Sequence, residues 1–384
     1  MTLNDSKIKI MHVISRMNVG GPAVMIVDSI RMLDAHKFEQ KLFAGECEPG
    51  EADYLQTQAQ DIDAIFVKGL GRKIDIKGDL HALISIMREI KKYQPDIIHT
   101  HASKAGLLGR AAAILARSDV KLVHTFHGHI LSGYFGRFKS HFFIFIERIL
   151  ARYSDVLVAV GKKVKMDLLA AKIGQHEQFV IIYPGVMPPK QYTKQFAREK
   201  LGLNYPEGHL VCAFFGRITN IKRPDRFLEV VRISQENSFP VSFFIAGEGD
   251  LSNAIKNEIE VSNLPINWLG WQTDVGLVIS ALDFLLICSD NEGLPLSAIE
   301  AGYLSKVVIS TDVGSISEVI SDGVTGFITE KDSKEIVKSL EHLLNDNSNF
   351  EKIGAAAKEK IEKEFALTIF LDEISRLYTS VTRT

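Results

Sequence analysis

The sequence predicts an α/β protein of two parallel-sheet domains facing each other across a cleft, and three observations carry that expectation. Apolar runs of strand length alternate with segments of helical periodicity along most of the chain. The alternation halts in a proline-bearing loop passage, YPGVMPPKQYTKQ at 183–195, and then begins again. At 384 residues the chain also exceeds one ordinary compact core, which favours two globular halves.

In chain order, IKIMHVIS (8–15) reads as a strand ending in the glycine turn of MNVGGPAVMIVDSIRMLD, whose later residues have a helical period. Strand-like KLFAGE and AIFVK follow, then a helix near 79–93, the strand DIIHTH, a helix near 104–117, the strand KLVHTFHG, a long helix and the strand DVLVAVG. Strands separated by helices imply a parallel sheet covered on both faces. Beyond the loop passage the pattern resumes with HLVCAFFGR, a helix near 224–236, VSFFIAGEG, a helix near 251–261, INWLG and DFLLICS. A helix beginning at Pro295, the strand KVVIST, a short helix and GFIT complete it, before a charged helical tail with a final helix near 366–381. The expected division is 1–190, 191–365 and a C-terminal helix in 366–384 that can cross back to the first domain.

Composition is that of a soluble α/β protein, 46% hydrophobic and 24% charged, and no apolar run reaches the ~18 residues of a membrane-spanning helix. The start MTLNDSKIKIMHVISR lacks the regions of a secretory signal, which argues against export. Cys47, Cys212 and Cys288 have no metal-like spacing and fit buried thiols in a reducing compartment, so the expected location is cytoplasmic. Net charge is -2, but residues 1–190 hold 26 Lys+Arg against 19 Asp+Glu, leaving 19 against 28 for the rest. The basic half can attract phosphates or the inner face of an anionic membrane, or can simply be a solvated surface. No basic, aromatic-rich signature points to nucleic acid.

Ligands of open parallel sheets sit beyond the carboxyl ends of the strands. The polar motifs fall there: Gly20-Gly21, HTH at 99–101, HGH at 127–129, Gly216-Arg217, GEG at 247–249, and SDNEGLPLSAIEA at 289–301. In the last of these, Pro295 suits the first helical position and Gly293 the turn before it, so the corner reads as a phosphate seat at a helix N-terminus. Glu292 and Glu300 flank it; were the helix continued back to Glu292, the two would stand roughly 80° apart. Carboxylates are poor phosphate ligands but strong acceptors for sugar and ribose hydroxyls. A capped surface helix is the plainer alternative. FFGRITNIKRPD (214–225) sets Arg217, Lys222 and Arg223 behind a strand, either as a diphosphate clamp or as a solvated basic loop. Together, acids and cations in one domain point to a polyhydroxylated diphosphate.

With these residues in place, the chain resembles the retaining glycosyltransferases of family 4, also called group 1, which have the GT-B fold. The resemblance runs through Gly20-Gly21, His127-Gly128, Gly216-Arg217 with Lys222, AGEG (246–249), LGW (269–271) and Glu292-x7-Glu300. It implies that Arg217 and Lys222 hold the donor diphosphate, Glu300 the ribose and Glu292 the transferred sugar. It also implies that the backbone of Gly216 and of Gly293, Leu294 and Pro295 faces phosphates or sugar, and that Trp271 and Gln272 lie near the base. Gly20 and Gly21 join them as donor-side glycines.

His127 is the residue expected over the scissile bond, able to bond a sugar hydroxyl or donate to phosphate, with an ordinary pKa that permits acid/base work. His124 and His127 would point to opposite faces of an extended strand, His124 into structure, and no third ligand of helix spacing makes a metal site. His99 and His101 share a face, lining the acceptor side or supporting the loop. DID at 61–63 is read as a surface pair and GEGD at 247–250 as too short for a dinucleotide fingerprint. GRFKSHFFIFIERILARYSD (136–155) mixes bases and aromatics and is read as a core helix rather than a membrane-surface one.

The expected activity is metal-independent, retaining transfer of a sugar from a nucleoside diphosphate donor, UDP-linked, without a cofactor. The acceptor is a saccharide or lipid-linked chain of a bacterial surface polysaccharide at the inner face of the membrane. In the front-face route favoured for the family, the leaving diphosphate helps to deprotonate the acceptor. A sugar-nucleotide 2-epimerase of similar fold and a non-enzymatic sugar-nucleotide sensor are the alternatives.

Overall fold

The computed structural model describes residues 7–48, 50–71, 73, 75–128, 137–345 and 347–383. Chain contacts divide it into two compact units, residues 1–185 with 368–384, and residues 186–367. The first holds a seven-stranded parallel sheet of β1 (Ile8–Ile14), β2 (Phe38–Ala44), β3 (Ala64–Phe66), β4 (Ile97–His101), β5 (Lys121–Phe126), β6 (Val156–Ala159) and β7 (Phe179–Ile181). Their order is β3-β2-β1-β4-β5-β6-β7. The second holds β8 (Leu210–Phe215), β9 (Val241–Ala246), β10 (Ile266–Gly270), β11 (Phe284–Ile287), β12 (Val307–Thr311) and β13 (Phe327–Thr329), ordered β10-β9-β8-β11-β12-β13. Each order reverses once, between β1 and β4 and between β8 and β11. At such a reversal neighbouring loops diverge to opposite faces and open a crevice at the strand ends.

Both sheets are buried on both faces, which is why their strands read as near-continuous apolar runs. In the second unit Phe214, Phe243, Phe284 and Ile309 pack with Phe227 of the helix Pro224–Glu236 and Leu340 of the helix Ser333–Asn345. In the first, Met11, Val13 and Ile98 pack under the helices Ile76–Tyr93 and Ser103–Ala116, while Ile14 and Leu42 pack under Gly21–Met32. In the first unit the carboxyl halves of β1, β4 and β5 bury polar side chains. There His12, His99, Thr100, His101, His124 and Thr125 are all buried.

The sequence pattern misses β7 and the helices Lys162–Ala170, Lys194–Lys200 and Val275–Ala281, whose short mixed stretches carry too few turns for a period to emerge. The expectation for the segment 136–155 is overturned. The helix Arg137–Ala151 is not a core helix: Phe142 is 61% exposed, Phe145 59% and Ile149 39%. Its inward side is held by Leu150, Ala151 and the buried pair of Arg110 Nη2 with Glu147 Oε2 at 2.7 Å. Residues 129–136, including the second histidine of HGH, lie outside the described residues.

Candidate active site

In the second unit, the β8 and β11 corners meet side by side because those strands are neighbours, although register partners such as Cys212 and Phe284 stand 72 residues apart in sequence. Gly216, at φ +140, turns the chain out of β8; only glycine adopts that conformation freely, and nothing lies within 4 Å of where its Cβ would be. Arg217 follows, exposed, with no ion pair among the described residues. The β9 loop braces this turn. A Cβ on Gly247 would stand 1.9 Å from the Gly216 carbonyl oxygen and one on Gly249 2.4 Å from that of Ile218, so AGEG is glycine-rich because two backbones touch. Its Glu248 faces away from any ligand role, accepting from Trp268 Nε1 and pairing with Lys256 Nζ, each at 2.9 Å.

A 3-10 turn, Asn220–Lys222, then carries Lys222 to the β11 corner, where the Asp290 amide donates to the Ile221 carbonyl at 2.8 Å. Lys222 Nζ lies 2.6 Å from Glu292 Oε1, which also accepts from Ser289 Oγ at 2.7 Å. The cation expected on the diphosphate and the acid expected on the sugar are thus direct neighbours. Arg223 is not part of a clamp: it pairs with Asp225 at 2.7 Å and Asp290 at 2.9 Å. Asp290 is held in addition by buried Arg226 at 2.8 Å, whose other nitrogen donates to the Cys288 carbonyl. These guanidinium bonds work against desolvation and keep the Asp290 carboxyl below its ordinary range.

The helix after this corner is Leu296–Tyr303, so Pro295 is its cap, extended at φ -72 and ψ 116, rather than its first residue, and the helix does not run back to Glu292. The left-handed glycine is Gly314, in the loop after β12, at φ +51; a Cβ there would meet the Glu292 carbonyl oxygen at 2.2 Å. Ser315 closes the brace by donating its amide to the Gly293 carbonyl at 2.8 Å, and its fully buried hydroxyl has no partner among the described residues. Leu294 is buried, 7% exposed. Glu300, partly buried in the helix, has its pKa raised to about 7 by desolvation. After β10, Trp271 buries an unpartnered Nε1 and Gln272 donates Nε2 to the Leu269 carbonyl at 2.8 Å.

In the first unit, Gly20 caps the helix Gly21–Met32 beyond β1, and a Cβ there would make only ordinary contacts, 3.9 Å from the Asn18 carbonyl oxygen and 4.0 Å from Pro22 Cδ. His127 sits just past β5, half-buried, with Nε2 3.1 Å from His101 Nδ1. Desolvation pushes its pKa down to about 3, which favours the neutral imidazole near pH 7. His124 turns to the other face, 2.8 Å from Thr100 Oγ1. Sequence reasoning passes over His12, which with His99 and His101 brings three ligand atoms within 4.8 Å of one another. The signal available was parity: His12 is the register partner of His99 across β1 and β4. Also missed is Ala102, whose φ 62 and ψ 167 is a backbone region almost reserved for glycine, directly after the histidine-bearing end of β4.

Residues 19–188 match the family described as Glycosyltransferase Family 4, and residues 194–360 match Glycosyl transferases group 1. Among curated relatives, a UDP-Gal:alpha-D-GlcNAc-diphosphoundecaprenol alpha-1,3-galactosyltransferase of Escherichia coli is 28% identical, covering 98% of each chain. The capsular polysaccharide biosynthesis glycosyltransferase CapM of Staphylococcus aureus is 24% identical, over 86% of this chain and 88% of its own. Among solved structures, Anabaena Alr3699/HepE in complex with UDP and glucose aligns with a TM-score of 0.79 at 19% identity, over 97% of this chain and 100% of that one, a likeness of fold.

Proposed function

The chain belongs to the group 1 glycosyltransferases of GT-B fold, and from that premise we propose that it moves a sugar from a UDP-linked donor to a lipid-linked or growing saccharide in bacterial surface-polysaccharide synthesis, with retention and without a metal or cofactor. The observation that carries the reading is the corner where Lys222 meets Glu292 at 2.6 Å, next to Gly293 in the chain, with the exposed Arg217 following β8, the strand that neighbours β11. A cation and an acid in contact can serve two adjacent parts of one ligand, the Lys the phosphate oxygens and the Glu the sugar hydroxyls. Arg217 adds the planar fork suited to a second phosphate oxygen. Glu300 receives the ribose hydroxyls, which restore bonds that burial denies it. Trp271 and Gln272 are assigned to the base. Relatives named for UDP-galactose, an undecaprenyl diphosphate acceptor and capsule synthesis support the donor and acceptor classes.

In the reaction, the bond from the sugar's anomeric carbon to the diphosphate oxygen breaks and a bond to the acceptor hydroxyl oxygen forms on the same face. The acceptor's proton passes to the departing diphosphate. Negative charge grows on that group, and Arg217 and Lys222 stabilise it where a metal otherwise serves. His127 is assigned, within its own unit, as a neutral hydrogen-bonding group for a sugar hydroxyl. The exposed Phe142, Phe145 and Ile149, with Arg148 and Arg152 on the same stretch and an excess of bases in residues 1–190, support peripheral contact at the cytoplasmic face of the membrane, where a lipid-linked acceptor is reached. No helix among the described residues is long and apolar enough to cross a membrane.

Calorimetry with UDP and transfer assays over a panel of UDP-sugars test the reading. Arg217→Ala and Lys222→Ala should fold normally, bind UDP more weakly and each lose on the order of 10²–10³ in turnover. Undiminished UDP affinity in both would remove the diphosphate site. Product anomeric configuration read by NMR tests retention, and an EDTA-insensitive rate tests metal independence.

A further inference from the structure

The buried histidines of the first unit form a directed chain whose proton order can be derived from its far end. Gln40, on β2, donates its amide nitrogen to the Ser29 carbonyl at 2.9 Å. A carbonyl only accepts, so the orientation of the Gln40 amide is fixed, and its oxygen must face His12 Nε2 at 2.9 Å. His12 therefore carries its proton on Nε2 and leaves Nδ1 bare. That atom lies 3.2 Å from His101 Nε2, which must then be the donor, leaving His101 Nδ1 as the acceptor for His127 Nε2 at 3.1 Å. One neutral proton per ring satisfies every link.

We infer that Gln40, His12 and His101 are positioning residues that hold His127 as its Nε2–H tautomer, so that the nitrogen left to meet a ligand, Nδ1, is a hydrogen-bond acceptor for a hydroxyl and not a donor to phosphate. The inference rests on the assignment of His127 to the transferred sugar or its acceptor, and it sharpens that assignment to one atom and one polarity. Burial supports it by keeping His12, His101 and His127 neutral, their pKa values all lowered by desolvation. Among the described residues, the partners that the surrounding elements add are neutral: Ser29 Oγ bonds Gln40 Oε1 at 3.1 Å, and Tyr378 and Thr125 each bond His99 at 2.7 Å. The competing use of His12, His99 and His101 is a metal site. Both nitrogens of His99 are already engaged, and a metal between His12 and His101 would have to displace the proton that joins them, so the geometry favours the proton chain.

The test is a two-bond proton–nitrogen correlation spectrum of the full-length protein labelled with 15N-histidine near neutral pH, with His127→Gln identifying the His127 signals. The expected pattern for His127 is protonated Nε2 with bare Nδ1. Gln40→Leu, which removes the terminal acceptor, should shift His127 towards an averaged pattern and lower kcat on the order of tenfold with KM for the donor unchanged. Gln40→Glu keeps an acceptor facing His12 and should preserve the native pattern, which decides the matter if the leucine variant fails to fold. A bare Nε2 or exchange-averaged rings in the wild type, or an equivalent of metal co-purifying on His12 and His101, overturns the inference. The spectrum reads the tautomer whether or not His127→Gln impairs transfer, so failure of the relay and failure of the assigned sugar contact are separable.

Discussion

Glu300 illustrates at the residue scale how a site reveals itself by what it costs. Its carboxyl is raised from 4.5 to about 7 by desolvation, so the folded protein holds a proton there that the unfolded chain releases. The stability this group permits is complete below the unfolded value of 4.5 and is lost as pH rises through about 7. Glu300→Gln should therefore melt above the native protein at about pH 8 and level with it near the unfolded value, while UDP binding weakens. A melting difference independent of pH would refute the raised carboxyl. Residue types at this site were legible because Lys222 and Glu292 lie in the passages that follow apolar strands and Glu300 in the helix after the second of them. The pairing of Lys222 with Glu292 was not, because it depends on β8 lying next to β11, a matter of sheet order. For the same reason Arg223, one residue on, could not be seen to belong to Asp290.

Among the elements, the strand-end corners carry function, and their glycines are tuned by contact rather than by flexibility alone. Gly247 sits at φ +148 against the Gly216 carbonyl, so Gly247→Ala should cost roughly 1–3 kcal/mol in backbone strain, with displacement of the Arg217 loop adding to it. Urea denaturation and UDP affinity should both register the change. Gly216→Ala has room for its methyl group and should suffer only the torsional part. In the first unit, Ala102→Gly should stabilise the protein by about 1 kcal/mol in urea, since glycine relieves its φ of 62. A destabilised glycine variant would show that the turn is not strained. Alternation predicted most strands and the glycine corners. The helix Arg137–Ala151 was misjudged because an apolar stripe has the same period whether it meets a core or stays exposed.

On the scale of the whole molecule, the chain leaves its first unit at residue 185 and returns to it at 368. The returning helix, Leu367–Arg383, buries Tyr378 completely and sets its hydroxyl on His99 Nδ1 at 2.7 Å. Removing residues 368–384 should lower amide protection in β1 and β4 and leave β8 and β11 unchanged in hydrogen exchange. Equal loss in both sheets would mean that the units unfold together. That return also orders events at the ribosome. Residues 186–367 emerge, and can complete their own core, before the segment that seals the histidine-bearing sheet has been made. The first half of the polypeptide to be synthesised is thus the last to be finished, and until then its polar interior stands open to water and to chaperones.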